Sequence, residues 1–291
     1  MIWLLTILIK GVSWVVTRSP RTMQTTIGAF LGLIWFYVVP IRRGVAEENI
    51  AKAFPHWPKT RVRETAKKNF IQYGRGFIEF LILPNFSEAV FNKLFKVENF
   101  EIYKSAIEQK KGAFLLTLHI GSWELMSATS EHLKIPFHVI TKKFKTKWLN
   151  KIWVQLRLNR GIKLIEEEKS TFQILKAIRK GEVIGFILDQ FMGPPVGRRT
   201  KFFGYETGTA ASLALFADRT RAPVIPVYNI RDPNGQIRIV FESEIPFMEQ
   251  GSTEKNISFM TQIYTSKIEE IVKQYPDQWL WIHRRWKPFR E

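Results

Sequence analysis

Residues 113–133 read AFLLTLHIGSWELMSATSEHL. The run Ala113 to Leu118 is apolar and short, which suits a buried strand. His119 ends that strand and opens a turn containing Gly121, after which Trp123 to Leu133 reads as a helix. A buried strand feeding a helix through a tight turn is the building unit of layered α/β domains. The alternation continues outward. PFHVIT (136–141) reads as a strand, and TFQILKAIRKG (171–181) as a helix closed by Gly181. EVIGFIL (182–188) is another buried strand, TAASLALFADRT (209–220) a helix and APVIPVYNI (222–230) a strand. Asp232-Pro233-Asn234-Gly235 then makes a hairpin turn into QIRIVFESEI. The expected fold class is α/β, a mixed sheet flanked by helices.

Toward the N-terminus, AEENIAKAF and residues 59–83 have helical patterns separated by PHWP. Toward the C-terminus, residues 253–275 form an amphipathic stretch before the aromatic, basic tail WLWIHRRW. That tail reads either as interfacial or as a last element packed on the sheet with its arginines outward.

The 291 residues are enough for one large domain with an appendage. There is no cysteine, which excludes disulfides, thiolate nucleophiles and Cys-based zinc sites. The 44 Lys+Arg against 26 Asp+Glu leave a formal charge of +18, which favours anionic partners: nucleic acid, an anionic bilayer or an acidic carrier protein. The N-terminus discriminates among these. MIWLLTILIKGVSWVVT (1–17) and TTIGAFLGLIWFYVV (25–39) are apolar on all faces and flanked by Arg18, Arg21, Arg42 and Arg43. Both runs fall short of the roughly 20 residues of an upright span. Neither has the basic start and small-residue cleavage site of a signal peptide. Residues 1–40 are therefore read as an uncleaved membrane anchor, one span or a helical pair that enters the membrane, and 41–291 as the catalytic domain, kept cytoplasmic by the flanking arginines; a buried helical hairpin in a soluble core is the alternative.

Five histidines occur: His56, His119, His132, His138 and His283. His119 sits where a strand hands over to a helix, the edge at which α/β sheets carry their sites. Glu124 follows five residues later. In an ideal helix the two would lie about 140° apart, but with His119 before the helix and Gly121 relaxing the turn, Glu124 is expected to point back at the imidazole. A carboxylate on one ring nitrogen fixes the tautomer and leaves the other nitrogen free to take a proton. The nucleophile would then be a substrate hydroxyl. The alternative is a surface histidine beside a glutamate that meets the helix dipole. No H-E-x-x-H or other close histidine pair suggests zinc, and no metal or cofactor is expected.

These residues carry a resemblance. LTLHIGSWELMSA, with His119 and Glu124, is similar to the H-x-x-x-x-D/E motif of the lysophospholipid acyltransferase superfamily. In particular, the chain resembles the late acyltransferases of bacterial lipid A biosynthesis, the lauroyl/myristoyl transferases. Further similarity lies in FILDQFMGPPVGRRTKFFG (186–204), TAASLALFADRTRAPVIPV (209–227), RGVAEENIAKAFP (43–55) and PDQWLWIHRRWKP (276–288). The resemblance implies an inner-membrane enzyme, its catalytic domain on the cytoplasmic side, moving a fatty acyl group from acyl carrier protein or acyl-CoA to a hydroxyl of a glycolipid. It implies His119 as general base with Glu124 as its partner, and functional roles for Arg157 and Asp189. Gln190, where many members have His, and the basic loop after it put the acceptor in doubt. A glycosylated inositol lipid or a lysophospholipid is the alternative acceptor.

The basic residues fit anionic substrates. Lys142, Lys143, Lys145, Lys147, Lys151, Arg157, Arg160 and Lys163 fall in 22 residues with no acidic residue among them. Such a run holds lipid phosphates or an acidic carrier surface, or is simply a solvated face. Arg157 lies among apolar residues and is expected to have a partner; Asp189, ending a buried strand, needs one or caps the next turn. Arg198, Arg199 and Lys201, read as a Gly/Pro loop, form a candidate phosphate clamp. A non-catalytic basic protein of membrane surfaces or nucleic acid is the reading from another class. RNA-binding signatures are absent and the apolar N-terminus disfavours nucleic acid.

Overall fold

In the computed structural model, which describes residues 2–141, 146–166 and 170–290, four helices come first: α1 (Ile2–Arg18), α2 (Arg21–Tyr37), α3 (Arg43–Ala53) and α4 (Lys59–Phe80). The strand–helix alternation follows as α5 (Glu88–Leu94), β1 (Phe95–Glu98), α6 (Phe100–Glu108), β2 (Ala113–Thr117), α7 (Trp123–His132), β3 (Phe137–Thr141), α8 (Lys147–Leu158), β4 (Lys163–Glu166), α9 (Ser170–Arg179) and β5 (Val183–Ile187). The chain ends with the hairpin β6 (Gly197–Phe202) and β7 (Tyr205–Ala210), then α10 (Ser212–Thr220), β8 (Val224–Arg231), β9 (Ile237–Phe241) and α11 (Thr253–Gln274).

Seven strands form one sheet in the order β1-β9-β8-β2-β5-β3-β4, parallel throughout except for the β8–β9 hairpin. It is the mixed sheet anticipated from the sequence. Side chains alternate across it. Leu115, Val183, Val227 and Phe241 pack beneath α7, whereas Phe114, Leu116, Ile184 and Phe186 meet α9 and α10 on the other face. Because both faces are covered, β2 and β5 are apolar without alternation.

Two expectations change. The segment read as a Gly/Pro loop is strand β6, which places Arg198, Arg199 and Lys201 on an antiparallel hairpin with β7. The helix expected from Thr209 starts at Ser212, because Thr209 and Ala210 belong to β7.

The N-terminal runs also differ from a membrane span. Each forms a 17-residue helix, about 25 Å long and short of the ~30 Å hydrocarbon core. Among the described residues no helix is long and apolar enough to cross a membrane. Instead α2 packs on α4 at backbone contact. A Cβ on Gly74 would lie 2.1 Å from the Gly28 carbonyl oxygen, and one on Gly32 would lie 2.3 Å from that of Phe70. Phe36 of α2 is fully buried in the main core. Arg21 adds a polar clasp: it donates to buried Glu79 on α4 at 2.5 Å and to the Gly235 carbonyl at 2.8 Å. Glu79 also pairs with Arg231 at the end of β8. The opposite faces of α1 and α2 leave Trp14, Val15, Ile27 and Phe30 exposed.

Candidate active site

The turn after β2 is held from three directions. Gly121 adopts a φ of +61°, and a Cβ there would lie 2.4 Å from the Asn229 carbonyl oxygen, so glycine is required. The Asn229 side chain on β8 accepts from Ser122 N–H at 2.6 Å and donates to the Ile120 carbonyl at 3.1 Å. The tail completes the frame: Gly121 N–H donates to the Gln278 carbonyl, and Leu280 N–H donates to that of His119.

This frame presents His119 to Asp189. The strands β2 and β5 pair through Thr117 and Ile187, so two residues further on His119 meets Asp189. Asp189 Oδ1 lies 2.8 Å from His119 Nδ1, and Oδ2 accepts from the His119 backbone N–H at 2.9 Å and from Trp279 Nε1 at 2.8 Å. Burial raises the Asp189 carboxyl, but the charge of His119 and these hydrogen bonds hold it below the usual range. Burial likewise opposes charge on His119, yet the charge of Asp189 and its hydrogen bond, with a contribution from Glu124, keep the imidazole above its ordinary value. With Nδ1 directed at Asp189, Nε2 is the nitrogen available to accept a proton. The Trp123 ring stands edge-on to the imidazole at 5.4 Å.

The expected pairing of Glu124 with the imidazole is thus corrected. The hydrogen-bonded carboxylate is Asp189, while Glu124 turns from the first turn of α7 toward α8. There Arg157 Nη2 donates to both its oxygens, at 2.9 and 3.1 Å. The helical spacing that separates positions 119 and 124 is not overcome by the turn. Glu124 still acts on His119 through charge. Arg157 lies over the Trp153 ring at 4.8 Å, and its buried Nε finds no partner among the described residues.

Two apolar spaces meet at Trp123 and Glu124. One, about 70 Å³, runs beneath α7 and is lined by Leu115, Met126, Phe137, Ile239 and Phe241. The other, about 320 Å³, is a groove among Trp35, Tyr73, Phe77, Phe80 and Trp153 on the side of α2 and α4. The groove is of a size that holds a ligand, and the space beneath α7 is a narrow cleft.

Other predicted residues lie apart from His119. Arg198 donates to the carbonyls of Pro195 and Gly197 at 3.3 Å, and Arg199 pairs with Glu206 on the exposed hairpin. In the basic run, Arg160 is held by the carbonyls of Pro84 and Phe86, and Lys163 pairs with Glu182. Lys147 and Lys151 are exposed on α8, and Lys142, Lys143 and Lys145 lie outside the described residues.

The tail supplies what the sequence reading missed. Trp279, Trp281 and Arg285 are buried, not outward. Arg285 donates to the Gln190 carbonyl at 3.1 Å and to Thr209 Oγ1 at 2.6 Å, tying the segment after Asp189 to β7. Burial lowers its guanidinium to about 10 against the pull of Asp189. His283 Nε2 accepts from Phe191 N–H at 3.1 Å and is pushed down to about 4 by burial. The only hint in the sequence was that cations and aromatics are interleaved there.

Residues 1–288 match the family model of bacterial lipid A biosynthesis acyltransferases. The chain belongs to this family. It is 24% identical over 285 residues to the lipid A biosynthesis lauroyltransferase of Escherichia coli (strain K12), covering 95% of this chain and 89% of that one. It is 25% identical over 281 residues to the palmitoleoyltransferase of the same organism, with the same coverage. A lipid A biosynthesis acyltransferase of Haemophilus influenzae is 22% identical over 289 residues, covering 97% and 86%. As a lipid A biosynthesis acyltransferase family member, the chain is an O-acyltransferase.

Proposed function

We propose that the chain moves a fatty acyl group from a thioester of acyl carrier protein or coenzyme A to a hydroxyl of a lipid A precursor. The observation that carries this reading is the His119–Asp189 pair beside Trp123, whose ring stands 5.4 Å from the imidazole and lines, with Glu124, the two apolar spaces. An alcohol attacks a thioester only as its proton leaves, because free alkoxide is inaccessible near neutral pH. His119 Nε2 takes that proton while the oxygen bonds to the acyl carbon. Collapse of the tetrahedral intermediate breaks the carbon–sulfur bond, and the imidazolium returns the proton to the departing thiolate. Asp189 holds the tautomer and supports the transient imidazolium. Glu124 adds negative charge, and Arg157 fixes Glu124 at the junction where the reacting groups enter.

The cavity beneath α7 takes the donor chain, and the groove beside α2 takes an acyl chain of the acceptor. The exposed apolar faces of α1 and α2 lie in the membrane interface, with Arg18, Arg42 and Arg43 at the phosphates. This keeps the site at the cytoplasmic face of the inner membrane. Lys147 and Lys151 face an acidic donor, and Arg198 and Arg199 an anionic headgroup.

The test is transfer of radiolabelled acyl groups from acyl carrier protein to a lipid A precursor in mixed micelles, with mass spectrometry of the product. His119→Ala is expected to lose on the order of 10²- to 10⁴-fold in kcat with the fold intact. A fully active His119→Ala, or a trapped acyl-Ser122, would overturn the mechanism.

A further inference from the structure

Strands β3 and β5 lie side by side but do not stay paired to their ends. Their last hydrogen-bonded partners are Val139 and Gly185. Beyond that point β3 continues along β4 to Thr141 and Glu166, and β5 continues along β2 to Ile187 and Thr117. The two strands therefore part over their final two residues, at the same sheet edge as His119. Paired strands about 4.8 Å apart admit nothing between them; parted ones can.

The cavities on the two faces show what this opening joins. The space beneath α7 and a larger one of about 510 Å³ on the α10 face share Val139, Gly185 and Ile187 as lining residues. By strand alternation Val139 goes with Phe137, and Ile187 with Val183, on the α7 face. The two spaces therefore adjoin at the end of the sheet where β3 and β5 part. At Gly185 the Phe137 ring takes the place of a side chain, 2.7 Å from where a Cβ would stand, so the opening lies beyond it, between the last two residues of β3 and of β5. The far cavity is walled mainly by apolar groups, among them Ile174, Leu215, Phe216 and Ile257.

We infer that the parting of β3 from β5 is a passage through the sheet, by which the tail of a long acyl chain seated beneath α7 crosses into the α10-face cavity. The inference rests on the acyl-transfer reading and adds to it a determinant of chain length. A short donor chain ends beneath α7. A longer one exceeds that space and runs past Ile187, burying its last methylenes between α9 and α10.

The experiment compares kcat/KM for palmitoyl and decanoyl donors in the full-length enzyme, with palmitate affinity measured separately by displacement of a fluorescent fatty acid. Ile187→Trp fills the passage and Leu215→Trp fills the far cavity without lining the near one. Each methylene denied burial costs roughly four-fold. Both variants are therefore expected to lower the palmitoyl-to-decanoyl ratio at least about tenfold and to weaken palmitate binding, whereas Ile187→Ala does not lower the ratio. The ratio cancels any general loss of activity, and either tryptophan variant suffices if the other fails to fold. An unchanged ratio in a folded tryptophan variant, or a wild-type enzyme that rejects both palmitoyl donor and palmitate, overturns the passage. A wild type that binds palmitate in an Ile187→Trp-sensitive way yet transfers no acyl group overturns the acyl-transfer reading and leaves the passage standing.

Discussion

Asp189 holds His119 twice, once through the ring Nδ1 and once through the backbone N–H. Ring and main chain are thereby fixed to one buried carboxylate. Asp189→Asn keeps the shape but removes the charge that supports the imidazolium, and it is expected to cost on the order of 10²- to 10⁴-fold in kcat. Glu124→Gln is expected to cost less, because Glu124 reaches the ring only through charge. The losses in Asp189→Asn and His119→Ala combined should fall far short of additive. Steady-state kinetics of the single and double variants decide this; a Glu124→Gln loss exceeding that of Asp189→Asn would reverse the two roles.

The pH dependence follows from the same pair. A base works unprotonated, and His119 is held above its ordinary value of about 6.5. Activity should therefore fall along an acid limb lying above 6.5. Asp189→Asn leaves burial opposed only by the weaker pull of Glu124 and should move that limb to lower pH, and Glu124→Gln should move it the same way by less. The profile of log kcat/KM against pH measures both shifts.

His283 makes stability depend on pH. Its folded value is depressed to about 4 from 6.5. The stability it contributes is full above about pH 6.5 and is lost as pH falls toward 4, because the unfolded chain binds the proton more readily. Urea midpoints taken across that window should decline in the wild type. In His283→Gln, whose Oε1 still accepts from Phe191 N–H, the decline should be shallower.

The glycines of the α2–α4 contact allow a comparison. Gly74→Ala and Gly32→Ala force two backbones apart and should cost about 1–3 kcal/mol or more. At Gly44, in α3, an added Cβ meets nothing within 4 Å, and Gly44→Ala should be neutral or stabilise by up to about 1 kcal/mol. Thermal melts separate these outcomes. Equal effects at positions 44 and 74 would mean α2 does not pack on α4.

Buried and exposed ion pairs should differ as sharply. Glu79 and Arg231 are 1% and 0% exposed, and Arg21 shares the carboxylate, which their charges hold down at about 2 despite burial. Glu79→Ala strands two cations and should cost about 3–5 kcal/mol. Arg199→Ala, which breaks an exposed pair with Glu206, should cost at most about 1 kcal/mol. Chemical denaturation reports both.

The sheet was readable because β2, β5 and β8 are apolar runs of strand length bounded by turn residues. The hairpin of β6 and β7 was not, since GRRTKF and YETGTA are polar and glycine-containing and are buried without a clean alternation. His119 was legible from its place at a strand end. Its partner was not, because the contact with Asp189 depends on the register of β2 against β5, which no local pattern encodes. Trp279 and Arg285 were hidden for a related reason: a tail without regular secondary structure is buried by what it bonds to, and aromatic and cationic residues together read equally well as an interfacial surface. The apolar N-terminal runs were visible as runs, but the glycines that dock α2 on α4 revealed their meaning only with both helices in view.

The active-site frame draws on residues far apart along the chain: His119 and Asp189 are separated by 70 positions, Asn229 and Ser122 by 107, and Trp279 and Asp189 by 90. Closing such long loops is entropically costly, so contacts of this separation form slowly and late. Helices α4 and α11 are built from neighbouring residues and form early. On refolding from denaturant, helical signal should therefore return well before acyl transfer does. A nascent or damaged chain can look largely folded and still have no catalytic centre.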